Sequence, residues 1–157
     1  MSSSEALDER IVHMDKDLFI CIDHVGLAVP DLDEAVRFHS EVFGWRELHR
    51  EVNEEQGVAE AMIGTGAQGP ENAQIQLLAP LREDSAIGKF LAKNGPGMQQ
   101  LAYRVADIDH VCEVLRSRGV RLLYPDPKTG TGGSRINFVH PKDAGGVLLE
   151  LVEPAQH

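Results

Sequence analysis

The chain states one pattern twice. Ile22-Asp23-His24-Val25-Gly26-Leu27-Ala28-Val29 is answered 76 positions later by Met98-Gln99-Gln100-Leu101-Ala102-Tyr103-Arg104-Val105. The stretch that follows the first copy, Val29-Pro30-Asp31-Leu32-Asp33, returns as Val105-Ala106-Asp107-Ile108-Asp109. Further on, Ile75-Gln76-Leu77-Leu78-Ala79-Pro80 returns 74 positions later as Leu149-Glu150-Leu151-Val152-Glu153-Pro154. Such self-similarity describes one supersecondary unit used twice. With 157 residues in all, each half is marginal alone, so the halves are expected to share a core. The reading is a flexible tail over 1–16 and a single domain over 17–157, with module one at 17–80, a connector at 81–97 and module two at 98–154.

Charge and composition narrow the partners. A formal net charge of −10 argues against nucleic acid, because phosphate binding needs a basic surface. An anionic substrate would have to be met by a local basic patch. No apolar run approaches the ~20 residues needed to cross a bilayer, so no membrane partner is expected. The first 16 residues lack the apolar centre of a signal peptide. The two cysteines, Cys21 and Cys112, form no C-x-x-C pair, which suits a reducing, cytoplasmic setting.

Periodicity supplies the elements. Leu18 to Val29 reads as a strand with Ile22, His24, Gly26 and Ala28 on one face. Asp31 and Glu34 form a capping box ahead of Leu32, Ala35, Val36, His39, Val42 and Phe43 at helical spacing, and Gly44 closes that helix. Strands are expected at Trp45–Val52, Val58–Ile63 and Ala73–Ala79, with a loop over 64–72. Ser85 caps a short connector helix. Asp107 caps the second long helix, with Ile108, Val111, Cys112 and Leu115 on its apolar stripe. Further strands are expected at Gln99–Val105, Arg121–Tyr124, Arg135–His140 and Val147–Val152, around the glycine-rich loop Lys128–Gly133.

Several polar residues interrupt these apolar runs. Glu150 stands inside Val147–Val152, where a lone carboxylate has to be paired, neutralised or metal-bound unless the strand is an edge in water. His24 with Gln100, and Gln76 with Glu150, occupy corresponding positions of the repeat, and four such donors at one level would suit a divalent metal. His24 alone would read more simply as a hydrogen-bonded core histidine. Glu60 is the one polar side chain in Val58–Ile63. On an inner face it would have an apolar setting that favours general-base chemistry near neutrality, while on the outer face it would be only a solvated glutamate. The glycine-rich loop lacks Walker spacing, and the bland reading of it is a hairpin connection.

These residues resemble the vicinal oxygen chelate superfamily and, within it, the methylmalonyl-CoA epimerases. The carriers are Asp17-Leu18-Phe19-Ile20-Cys21-Ile22-Asp23-His24-Val25, Phe43-Gly44-Trp45, Glu47-Leu48-His49-Arg50-Glu51, Glu55-Gln56-Gly57-Val58 and Gln76. They continue with Leu91-Ala92-Lys93-Asn94-Gly95, Gly130-Thr131-Gly132-Gly133-Ser134-Arg135-Ile136-Asn137-Phe138 and His140-Pro141-Lys142. The resemblance implies an α+β fold of two tandem βαβββ modules, a curved eight-stranded mixed sheet with helices outside, in a homodimer. It implies a divalent metal ion (cobalt, manganese, nickel, zinc or magnesium) on His24, Gln76, Gln100 and Glu150. The family's histidine at the third of these positions is Gln100 here, a weaker and harder donor.

It further implies that (2R)- and (2S)-methylmalonyl-CoA, or a related acyl-CoA, exchange the proton at C2 between Glu60 and Glu150. Lys128, Arg135 and Lys142 are the cations expected to hold the coenzyme A tail. The competing expectation is a metal-free acyl-CoA or small-molecule binding protein on the same scaffold. A dioxygenase would want two histidines, and the matching positions supply one.

Overall fold

The computed structural model describes residues 18–66 and 72–156. The expected tail over 1–16 and the middle of the loop over 64–72 lie outside the described residues. Eight strands form one mixed sheet: β1 (Phe19–Ala28), β2 (Glu47–Asn53), β3 (Val58–Ile63), β4 (Gln74–Pro80), β5 (Gly97–Val105), β6 (Lys128–Thr129), β7 (Arg135–Val139) and β8 (Leu149–Glu153). Their order is β2-β3-β4-β1-β5-β8-β7-β6. The described helices are α1 (Leu32–Phe43), α2 (Ala86–Asn94) and α3 (Ile108–Ser117). None of them is long and apolar enough to cross a membrane.

The helices begin and end where their caps dictate. Asp31, Ser85 and Asp107 each accept a backbone N–H three residues on, from Glu34, Gly88 and His110, which satisfies a donor the first turn leaves orphaned. Gly44 ends α1 at φ 72°, a left-handed conformation that glycine adopts without a Cβ clash.

The chain divides into two compact units. One is Ile22–Ala102, and the other is built mainly from Tyr103–His157 with the start of β1. In the first, β1 and β4 are parallel, with Gly26 beside Gln76, while β3 runs antiparallel to both β2 and β4. Ala28, Val58, Leu78 and Ile87 form an apolar cluster there, with Phe90 and Leu91 of α2 against it. In the second unit, Val105, Ile108, Val111, Cys112, Val139 and Leu151 form the core under α3.

One expected strand is corrected. Arg121–Tyr124 makes a single bridge, Leu122 to Val139, instead of a strand, and the two-residue β6 forms further on, inside the presumed loop. Pro125 and Pro127 flank the change, and neither can donate to a ladder. Tyr124 is held instead by a side chain. The fully buried Asn137 accepts from Tyr124 N at 3.1 Å and donates to Tyr124 O at 3.0 Å.

Candidate active site

Alternation along each strand sorts the polar residues. In the unit Ile22–Ala102, His24, Gly26 and Ala28 share a face of β1, and the β4 register places Gln74, Gln76 and Leu78 beside them. Across the next ladder Glu60 pairs with Leu78 and Met62 with Gln76. Glu60 is therefore on the inner, apolar-flanked face, and its exposure is 6%. Gln76 at 3% and His24 at 4% are equally withdrawn from water.

These side chains are joined by hydrogen bonds of fixed direction. Gln76 Nε2 donates to Glu60 Oε2 at 2.9 Å. That turns Gln76 Oε1 the other way, where it accepts from Gln100 Nε2 at 2.9 Å. The same Gln100 nitrogen lies 3.4 Å from His24 Nε2, while His24 Nδ1 is 2.7 Å from Asp23 Oδ2. A carboxylate on Nδ1 holds the proton there and leaves Nε2 as a lone pair facing the site. Four of the expected residues, His24, Glu60, Gln76 and Gln100, thus come together. Asp23, the fifth member, was missed by sequence reasoning, although its place next to His24 in both chain and repeat was a signal.

The donor chemistry can be tested against a divalent ion. His24 Nε2 and Gln76 Oε1 present lone pairs in the orientation a metal needs, each fixed from behind by a carboxylate. Gln100 presents its N–H pair to those same two atoms, so it would ligate through Oε1 only after turning its amide over. Among the described residues no three His, Cys, Asp or Glu side chains form a metal-ligating group, and the amides at 76 and 100 are the reason on this face. With that rotation the set fits an oxygen-preferring ion.

Glu150 belongs to the other unit, where it is buried with 6% exposure. It is the register partner of Phe138 on β7, on the face away from the α3 core. Tyr124 stacks edge-on against Phe138 at 5.9 Å, and Lys128 Nζ sits 4.1 Å above the Tyr124 ring. Burial raises the Tyr124 phenol's proton affinity and the charge of Glu150 raises it further, so Tyr124 stays a hydrogen-bond donor. Nothing in its own stretch, Leu122-Leu123-Tyr124-Pro125, signalled that role.

The three expected cations do not form one cluster. Lys128 opposes Ile136, whereas Arg135 opposes Thr129, so alternation puts them on opposite faces of the sheet. Arg135 forks onto Asp109 of α3 at 2.7 and 3.0 Å, and that pairing pushes its guanidinium up and holds the Asp109 carboxyl below its usual range. Lys142 lies in the turn Pro141–Asp143 with its side chain exposed.

Comparison with known proteins identifies the family. The Glyoxalase/Bleomycin resistance protein/Dioxygenase superfamily matches residues 23–138. Mitochondrial methylmalonyl-CoA epimerase of Dictyostelium discoideum is 37% identical over 84% of this chain and 77% of its own. The crystal structure of methylmalonyl-CoA epimerase from Mycobacterium tuberculosis superposes with a TM-score of 0.84 at 54% identity, over 89% of this chain and 91% of that one. A methylmalonyl-CoA epimerase in complex with methylmalonyl-CoA and NH4+ superposes with a TM-score of 0.83 at 49% identity, over 87% of this chain and 96% of that one. The chain belongs to the Glyoxalase/Bleomycin resistance protein/Dioxygenase superfamily and, within it, to the methylmalonyl-CoA epimerase family.

Proposed function

We propose that this protein is an isomerase that interconverts (2R)- and (2S)-methylmalonyl-CoA by proton transfer at C2. The observation that carries the reading is Glu60, a carboxylate buried on an apolar-flanked face and oriented by Gln76 at 2.9 Å. The C2 proton lies between a thioester and a carboxylate, so an adjacent base can remove it if the enolate is stabilised. Glu60 takes that proton. Glu150, also buried, is assigned as the second carboxylate of the proton transfer. Asp23, His24, Gln76 and Gln100 orient the polar face.

A divalent ion is part of the proposal, with His24, Gln76, Gln100 and Glu150 as its ligands. When bound it would act as a Lewis acid toward the thioester and carboxylate oxygens. Lys128 is the cation assigned to the coenzyme A tail, with Arg135 and Lys142 as further candidates. A homodimer is supported by α1, where Phe38, Val42 and Phe43 are exposed in the single chain, and sedimentation of the purified protein tests it. Two free thiols support a cytoplasmic setting.

The test is exchange of the C2 proton of methylmalonyl-CoA with deuterated water, with and without added cobalt or manganese. Exchange is expected. Tight acyl-CoA binding with no exchange in either condition would replace the isomerase by a binding protein, the reading that the donating amide of Gln100 favours.

A further inference from the structure

Gly26 stands where any side chain would strike the candidate site. A Cβ on Gly26 would lie 2.5 Å from Gln100 Cγ, 3.1 Å from its Cδ and 3.3 Å from its Nε2. Its backbone does not ask for glycine, since φ is not positive there. The space does. Gly26 is the register partner of Gln76, and β1 separates β4 from β5 in the sheet order. Gln100 reaches Gln76 Oε1 by lying across β1 at the one residue without a side chain.

The hydrogen-bond directions give this crossing a consequence. Gln76 must turn its nitrogen to the Glu60 carboxylate and its oxygen to Gln100. Donation into an amide oxygen polarises the amide and strengthens the N–H bond it gives at the other end. It also removes the freedom of the Gln76 amide to turn over.

We propose that Gly26 is a positioning residue: in the site before any metal binds, it opens the gap through which Gln100 locks Gln76, and Gln76 thereby holds the Glu60 carboxylate in one orientation toward C2 of an acyl-CoA thioester. The inference rests on the reading of Glu60 as the base. Gly26 and Gln100 act through Gln76 and not on substrate in this role. Adding one methyl group at position 26 collides with Gln100 near the root of its side chain, so Gln100 has to swing away.

A double-mutant cycle of Gly26→Ala and Gln100→Ala tests this, with two readouts. The first is the side-chain amide NMR signals of Gln76 in chelator-treated protein without substrate. The second is the rate of C2 exchange without added metal, where Gln100 keeps its donating orientation, measured beside the affinity for propionyl-CoA. Gly26→Ala is expected to shift the Gln76 signals and slow exchange about tenfold, the rate equivalent of one ordinary hydrogen bond. Propionyl-CoA affinity should stay within about twofold, since ground-state binding is not what is lost. In the Gln100→Ala background Gly26→Ala should have no further effect, because nothing remains to displace. Additive losses, or Gln76 signals that do not move in Gly26→Ala, overturn the proposal. Should Gly26→Ala fail to fold, Gln100→Met keeps the chain length without the donor. It is expected to reproduce both effects, and normal exchange in it overturns the proposal equally. Absence of exchange in the unmutated protein, with and without added metal, would instead remove the isomerase reading, while the Gln76 signals still report on the lock.

Discussion

A carboxylate withdrawn from water needs a donor behind it, and Glu60 has one in Gln76. Glu60→Gln should reduce C2 exchange by about 10³-fold, within the span general-base removal usually costs. Acyl-CoA affinity, followed by calorimetry, should be retained; a parallel loss of affinity would make Glu60 a binding group. Position 100 carries the second prediction at this scale. Gln100→His exchanges an amide that now donates toward His24 and Gln76 for an imidazole that can present a lone pair. Cobalt or manganese affinity should rise about tenfold or more, since outer and inner ligand changes are typically worth that much, and equilibrium dialysis measures it. Unchanged affinity would place the metal away from residue 100.

The helices, their caps and most strands were legible because their signals are local. Asp31, Ser85, Asp107 and Gly44 announce their own roles within one turn. The region between α3 and β7 was not legible, because it is held by contacts from distant residues. Leu122 to Tyr124 has the apolar look of a strand, yet Asn137 supplies the hydrogen bonds that a ladder would have made. Burial of Asn137 also puts its amide 3.6 Å from Cys112 Sγ, and the desolvated thiol is pushed up and stays protonated. Asn137→Ala should cost about 2–3 kcal/mol, a cavity plus orphaned backbone groups at Tyr124, read from urea unfolding with an unchanged m-value. The same region has a pH signature. Asp143 accepts from the Arg121 backbone N at 2.8 Å and from its guanidinium, which lowers its pKa to about 2. A depressed carboxyl contributes stability that is present above its unfolded pKa of about 3.9 and is lost as pH falls toward the folded value. An NMR titration of the Asp143 side chain should therefore find its midpoint near 2, and Asp143→Asn should flatten the stability profile between about pH 4 and 2.

Across the whole molecule the electrostatics oppose the proposed substrate. A chain of net charge −10 repels a coenzyme A ester at long range, so binding has to rely on cations close to the tail. Arg135 is engaged by Asp109 and, at 4.0 Å, approaches Glu153; its charge is largely answered within its own unit. Lys128 faces an aromatic ring instead of a carboxylate, and it lies on the Glu150 face of β7 and β8. Repulsion and local attraction then respond to salt in opposite directions. Screening weakens the long-range repulsion, which speeds association, and it also weakens the exposed lysine–phosphate contact, which speeds release. For the unmutated protein the two partly cancel, and acyl-CoA affinity should change little between about 0.02 and 0.3 M salt. Lys128→Ala removes only the attraction. Its affinity should be about two- to fivefold weaker at low salt, the worth of one exposed ion contact, and should improve as salt is added. Arg135→Ala should show a smaller change, since its guanidinium has to leave Asp109 before it can meet a phosphate. If Arg135→Ala and not Lys128→Ala produces the salt-relieved loss, the tail runs along the α3 face of the sheet, and Glu150 is then not the carboxylate beside it.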